Sequence, residues 1–498
     1  MPVSKDYLPI AGASGAQSTG PTAYSISRSI RFDERTNTHL IKNFGNSNSK
    51  TFTLSFWWKI GQHPSVTSAR QAIFSAGGSA GASFTLYHNH NSATIDGLTL
   101  SLTGSAEDIR LTRTFKDPSA WYHVVVACDS TDAVTTNRVR FYVNGLRESS
   151  FVGASYPSQN SDFYVNYAGG GTNTYWGARA GLSTSEMFDG YLAEINFIDG
   201  QALGPEHFGE FNAHDLWIPI EYSGTYGTNG YLIQGGTATA LGTDTSGNNN
   251  NFANSALQTH DQVLDTPTDN YPVININYRG SSATTQHYGE VSNGNLFIEH
   301  NGAYDGGQLC TALFSSGKYY WEVYIVAGGN NSSYQLGSGI AAPDDGYSKS
   351  DGRNEGAKTA EIGFNSYNGV VKFANSTTKT YTEVPFVNGN ILQIAVDADN
   401  GAIYYGKNGT FMGSGDPTSG ASKTNAGATW TPASYSGGWV PTLYVGGGSV
   451  PEIFVNFGQE GTFGGSTTAG GNTDADGKGN FKYSVPSGYR ALRIANIY

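Results

Sequence analysis

The chain has 498 residues, more than one hydrophobic core usually serves, so two or three domains are expected. Gly reaches 66, aromatics 13% and charged residues only 14%, which excludes a helix-rich protein and, through the apolar area available, a disordered one. A net charge of −12 without any Lys/Arg cluster excludes a phosphate backbone as partner, so no nucleic-acid binding is expected.

No apolar run approaches the roughly 20 residues that span a bilayer, so no membrane insertion is expected. The start MPVSKDYLPIAGASGAQ lacks a signal-peptide apolar stretch, which predicts synthesis in a cytoplasm. Residues 1–24 are small and polar and predict an extended arm whose anchor would lie outside the chain. From Ile26 to about Leu203, short strands alternate with Gly, Asn, Ser and Thr clusters, the pattern of a β-sandwich. Phe52 to Ile60 has period 2, with Phe52, Leu54, Phe56 and Trp58 on one side. Trp121 to Cys128 is apolar on both faces, as a central strand requires. Arg138 to Asn144 alternates, and Asn144-Gly145 then supplies a hairpin turn. A short helix is predicted around Pro205 to His214, with Pro205 near its start.

From Tyr222 the texture changes to TSGNNNNFANSALQTHDQVLDTPTDNYPVIN, which predicts a loop-rich connector over residues 222–276. A second β domain follows over residues 277–498. Its strands are expected at Tyr319–Val326, Gln335–Ile340, Glu361–Asn365, Val370–Phe373, Ile391–Asp397, Ala402–Tyr405, Thr442–Val445 and Ile453–Phe457, with hairpins at Asn400-Gly401 and Asn408-Gly409. The fold class is therefore all-β: two antiparallel β-sandwich (jelly-roll) domains in tandem behind a short arm. Cys128 and Cys310 fall in different domains and predict buried thiols rather than a disulfide framework. Without heptads, any oligomer must form through sheet faces, arms or loops.

Several groups can be read as sites. His88-x-His90 would put two imidazoles on one side of a strand, although a solvent-exposed polar strand end explains them as well. No cofactor is required by any motif. The hard oxygens of Asp244, Ser246, Asn248 and Asn250 nevertheless offer a structural Ca2+ option, as do Asp397, Asp399 and Asn400, where a hairpin is the simpler account. Sugar recognition needs an aromatic platform with amides or carboxylates beside it. Tyr167, Asn173, Tyr175 and Trp176, spaced by glycines, offer that combination, while Trp176 followed by Gly177 could equally open a strand and pack inside.

The first domain resembles the laminin-G/concanavalin A-like jelly roll, through FTLSFWWKI (Phe52 to Ile60), WYHVVVACDS (Trp121 to Ser130), RVRFYVNG (Arg138 to Gly145) and FDGYLAEINFIDGQAL (Phe188 to Leu203). These segments place it at residues 25–221. The second resembles a SPRY domain through GKYYWEVYIV, GNILQIAVDADNGAIYYGKNGTFM and VPTLYVGGGSVPEIFVNFG. That resemblance implies a ligand face of loops, here holding Asp344, Asp345, Tyr347 and Arg353, with Tyr367 in a separate turn. Glucanases of the first superfold use a strand reading roughly Glu-Ile-Asp-x-x-Glu. Here Glu194-Ile195-Asn196-Phe197-Ile198-Asp199 replaces the middle Asp, and without a bulge Glu194 and Asp199 would point to opposite faces. Glu194 is then an ordinary strand residue and no enzyme is expected.

The whole arrangement resembles virion proteins of tailed bacteriophages. That resemblance implies a non-enzymatic structural protein, a tail or head fibre displaying loops for host-surface glycan or protein receptors. It further implies other virion proteins as partners, a homo-oligomer such as a trimer, and location in the virion. The alternative is a purely architectural capsid or tail decoration protein binding only its virion neighbours. A glycoside-cleaving depolymerase ranks last.

Overall fold

A computed structural model describes residues 24–62, 70–79, 81–91, 94–102, 108–167, 173–181, 186–277, 290–300, 306–332, 334–342, 360–447 and 451–497. It is nearly all β, 43% strand and 7% helix, and the chain divides between Asp269 and Asn270 into two compact units. Arm residues 1–23 lie outside the described residues.

In the first unit two antiparallel sheets pack face to face. One runs β10 (Leu146–Arg147), β9 (Val139–Val143), β8 (Trp121–Asp129), β3 (Thr51–Ile60), β13 (Gly190–Asp199), β1 (Ser29–Phe32), β18 (Gln262–Val263), with β16 (Tyr231–Ile233) also on β13. The other runs β11 (Phe151–Ala154), β7 (Ile109–Thr114), β6 (Thr94–Ser101), β5 (Ala82–Asn91), β4 (Arg70–Ser79), β12 (Asn173–Trp176), β2 (His39–Asn43), β17 (Ala253–Ser255). We call these the β3 sheet and the β5 sheet. The alternation in β3 sends Phe52, Leu54, Phe56, Trp58 and Ile60 between the sheets, where they meet Phe74, Phe84, Leu86, Leu98 and Leu100 from the β5 sheet. Central strand β8 is apolar on both sides as expected: Val124, Val126 and Cys128 enter that core, while Trp121 and Val125 join clusters on the outer face. Asn144 and Gly145 both take positive φ (47° and 79°), as a two-residue hairpin turn needs. Both cysteines are free and buried.

Two expectations are corrected. The helix at Pro205 to His214 is a single 3-10 turn, Pro205–His207. Its continuation is claimed instead by β14 (Gly209–Phe211), which pairs with β15 (Trp217–Pro219). The connector expected over residues 222–276 is largely part of the first sandwich. β16, β17 and β18 all add to its sheets, and Tyr231, Ile233, Leu241, Phe252 and Leu257 enter its core. Buried charge fixes the end of this segment: Lys59 Nζ lies 2.7 Å from Asp265, whose other oxygen accepts from Trp121 Nε1, and Arg31 pairs with Asp261 at 3.3 Å.

The second unit sets a nine-stranded sheet, centred on Glu452–Asn456, Lys318–Ala327, Ile391–Asp397 and Ala402–Lys407, and a six-stranded sheet ordered Gly306–Leu309, Val440–Gly446, Gln335–Ala341, Glu361–Asn365, Val370–Phe373, Ser376–Thr380. Every strand expected from periodicity is present. Trp321, Ile340, Phe364, Ile394, Tyr405 and Leu443 are buried, with Trp321 Nε1 donating to Ser338 Oγ at 3.3 Å.

Candidate functional site

Strand β5 alternates Ser83, Thr85, Tyr87, Asn89 with Phe84, Leu86, His88, and only the second set belongs on the apolar side. Antiparallel pairing sets Thr85 opposite Ser75 of β4 and Ser101 of β6, Tyr87 opposite Thr99, and Ser75 opposite Tyr175 of β12. The outer face of the β5 sheet is thus a polar floor. Its hydroxyls bond one another: Ser75 Oγ to Thr85 Oγ1 at 2.9 Å, and Ser83 Oγ to Thr85 Oγ1 at 3.0 Å. Above it, Glu186 accepts from Arg70 Nε and Arg179 Nη1, each at 2.6 Å. The Arg70 guanidinium stands 4.5 Å over the Tyr87 ring, and that of Arg179 at 6.0 Å. Burial raises the Tyr87 phenol, opposed by these two cations, so the hydroxyl stays protonated and able to donate. Ser75, Ser83, Thr85, Tyr87 and Thr99 are all wholly buried, so this polar face is covered, while Arg70, Arg179 and Glu186 above it keep partial access to solvent.

The sequence-read residues fall in different places. Tyr175 belongs to this floor but packs beneath Ala178, Ala180 and Met187 at 4% exposure, and Asn173 begins the same strand, accepting from Asn43 Nδ2. Trp176 alternates to the inside, wholly buried between Phe56 and Phe74, its indole N–H bonded to Tyr231 Oη at 2.9 Å. Burial removes Trp176 as a sugar platform. Tyr167 is 37% exposed, edge-on to Tyr164, and it follows Asn166, whose amide is tied to Asp199 and Asn229. It keeps a face for a ligand. Asp344, Asp345, Tyr347 and Arg353 lie outside the described residues. Tyr367 is half-buried in the turn after Glu361–Asn365, its amide bonded to Asn365 Oδ1.

His88 is a core residue against Trp58, not an exposed strand end, and the side chain of His90 lies outside the described residues. Asp244 is surrounded by donors: its carboxylate accepts from the amides of Leu232, Ser246 and Asn250. Asn248 and Asn250 turn their NH2 groups to the carbonyls of residues 227, 228 and 230. This array of N–H groups braces the loop and presents positive, not negative, partial charge to the carboxylate. Asp397 likewise accepts from Asn400 within its hairpin.

Glu194 is not an ordinary strand residue. β13 pairs with β1 through residues 190–192 and with β16 through 195–197, and a bulge opposite β3 falls between Ala193 and Asn196. Glu194 sits there with φ 48°, a conformation costly for a residue with a Cβ. Its carboxylate accepts from Tyr24 Oη at 2.5 Å and Gln234 Nε2 at 3.1 Å, and burial raises its pKa. Asp199 is engaged elsewhere, by Ser47 Oγ, Asn166 Nδ2 and the Asn229 amide. Sequence reading missed Arg70, Tyr87, Arg179 and Glu186, although the polar alternation of β5 was a usable signal.

Comparison with known proteins gives two domain matches: the family described as concanavalin A-like lectin/glucanases superfamily, of laminin-G type, over residues 33–207, and the SPRY domain over residues 318–446. No curated protein matches the chain. Among solved structures, the chain is similar to the SPRY domain of human HERC1, at 18% identity over 34% of this chain and 91% of that one, with a TM-score of 0.25. It is also similar to a heptameric SAP-like pentraxin from Limulus polyphemus, at 20% identity over 36% and 80%, with a TM-score of 0.27. A concanavalin A-like domain and a SPRY domain are thus found on one chain.

Proposed function

We propose that the chain is a non-enzymatic structural protein of a tailed-phage virion, a tail or head fibre that binds host-surface saccharide through its first sandwich. The observation that carries the non-catalytic reading is the state of the two carboxylates of β13. A retaining glycosidase needs two carboxyls about 5 Å apart on one face. Glu194 is held by Tyr24 and Gln234, and Asp199 by Ser47, Asn166 and Asn229, so neither stands ready beside the other.

Adhesion is supported by the exposed Tyr167 ring, carried on a rigid sandwich. Two binding-type domains on one chain support the same reading, and copy number in a homo-oligomer, a trimer by analogy with other fibres, would raise weak affinities to useful avidity. The virion setting rests on the resemblance of the strand and connector segments to phage proteins. Purified chain is expected to compete with intact phage for adsorption to susceptible cells, in a dose-dependent way. Absence of competition, together with a virion map placing the chain inside the capsid lattice, would favour the architectural role instead.

A further inference from the structure

On the outer side of the β3 sheet, an amine and a carboxylate are shut away from water in contact with each other. Lys59 of β3 stands opposite Trp121 of β8 and Tyr191 of β13, so aromatic residues flank it on both neighbouring strands, and its Nζ lies 5.9 Å from the centre of the Tyr191 ring. Its Nζ is 2.7 Å from Asp265 Oδ2, and both side chains are wholly closed to solvent. Keeping two charges in such a place is costly. Asp265 is held in position, since Trp121 Nε1 donates to its Oδ1 at 3.0 Å and Ser29 Oγ to its backbone carbonyl at 2.5 Å. An amine fixed against a carboxyl group in a dry site is set for amide condensation, which such fixed proximity accelerates. A third group completes the set. Asp117, half-buried between β7 and β8 and bonded to the amide and hydroxyl of Ser119, is near enough to act electrostatically on Lys59. Burial lowers the pKa of Lys59 against the pull of Asp265 and Asp117, and burial raises that of Asp117, so the amine sheds a proton more readily and the carboxyl group carries one.

We propose that Lys59 and Asp265 condense into an intramolecular isopeptide bond, with Asp117 relaying the protons. The Lys59 nitrogen attacks Asp265 Cγ, a C–N bond forms and the Cγ–Oδ2 bond breaks. Of the three ammonium protons one stays on the amide nitrogen, and two leave with the oxygen as water by way of Asp117. The Trp121 indole N–H bonds Oδ1, the oxygen that gathers negative charge while Cγ is tetrahedral. No oxidant, reductant or cofactor enters the balance. The link fastens the last segment of the first unit to central strand β3, just ahead of the boundary at Asp269 and Asn270.

The test is the intact mass of the full chain after denaturation, with peptide mapping of its digest. The unaltered chain is expected below its sequence mass by one water, with the segments around Lys59 and Asp265 recovered as one branched peptide. Lys59→Arg keeps the charge, lacks the nucleophilic amine and is expected at its full sequence mass. Asp117→Asn keeps an acceptor for Ser119 and is expected to link about a hundredfold more slowly, read as linked fraction against time after purification. If a variant misfolds, the mass and map of the unaltered chain decide alone. Full sequence mass in the unaltered chain after prolonged incubation, a water loss mapped to other residues, or equally fast linking in folded Asp117→Asn would overturn the proposal.

Discussion

His123 and Glu322 are titratable groups in the two units whose surroundings pull in opposite directions. His123 is buried with Trp217 Nε1 donating to its Nδ1 at 3.0 Å and Ser55 Oγ against Nε2 at 2.9 Å, and burial lowers its pKa to about 3. The native state therefore binds fewer protons than the unfolded one below the ordinary value of 6.5. Its contribution to stability is complete above that pH and is lost as pH falls toward 3. Glu322 accepts from the amides of Lys482 and Tyr483 and from Tyr320 Oη, yet burial outweighs these donors and pushes it up to about 7. Here the native state binds more protons, so its stabilising effect is present below pH 4.5 and is lost as pH rises through 7. Calorimetric melts of the two units from pH 4 to 7.5 should show the first losing stability toward acid and the second toward neutrality. His123→Gln and Glu322→Gln should each flatten the corresponding slope.

Neighbouring aromatics on one stretch differ as sharply. Trp176→Ala should cost about 3–5 kcal/mol in urea unfolding, because it empties the space between Phe56 and Phe74. Tyr167→Ala should stay within about 0.5 kcal/mol. Spacing alone could not separate them: Tyr175 and Trp176 are adjacent, and which one faces the core depends on the register of β12 against β2 and β4.

At the scale of elements, strands with a clear period were legible to within a residue or two. Phe52 to Ile60, Glu361 to Asn365 and Ile391 to Asp397 each alternate over a buried face that only one register satisfies. β16, β17 and β18 were not legible, because two or three residues carry no period. Their surroundings also read as loop, since Asp244, Asn248 and Asn250 bond backbone groups with their side chains as turn residues do. The Glu194 bulge was equally hidden, since a non-glycine positive φ leaves no mark in sequence. The segment after Tyr222 nonetheless closes the first sandwich. Asp265→Asn should destabilise that unit by about 3–5 kcal/mol, because it strands the Lys59 charge in a fully buried place, and equilibrium urea unfolding reads this directly. The Asp244 loop is braced by amide donors, so EDTA should leave the melting temperature unchanged; a drop reversed by added Ca2+ would show that an ion also holds it.

At the scale of the whole molecule, length indicated two or three domains and composition a β fold, and the aromatics fill the cores of the two units. The polar cluster on the outer side of the β5 sheet was the least legible part. Tyr87 and Thr85 are two apart in β5, but Arg70, Arg179 and Glu186 come from β4 and from the stretch between β12 and β13, and only sheet pairing brings them together. The central claim, that this chain binds saccharide through its first sandwich and does not cleave it, is tested most directly on a glycan array read for both bound protein and residual glycan. The account predicts retention of the full chain on host-surface glycans, weakened retention for Tyr167→Ala, and glycans left intact. Equal retention of Tyr167→Ala and the unaltered chain, or shortened glycans under either, would contradict it.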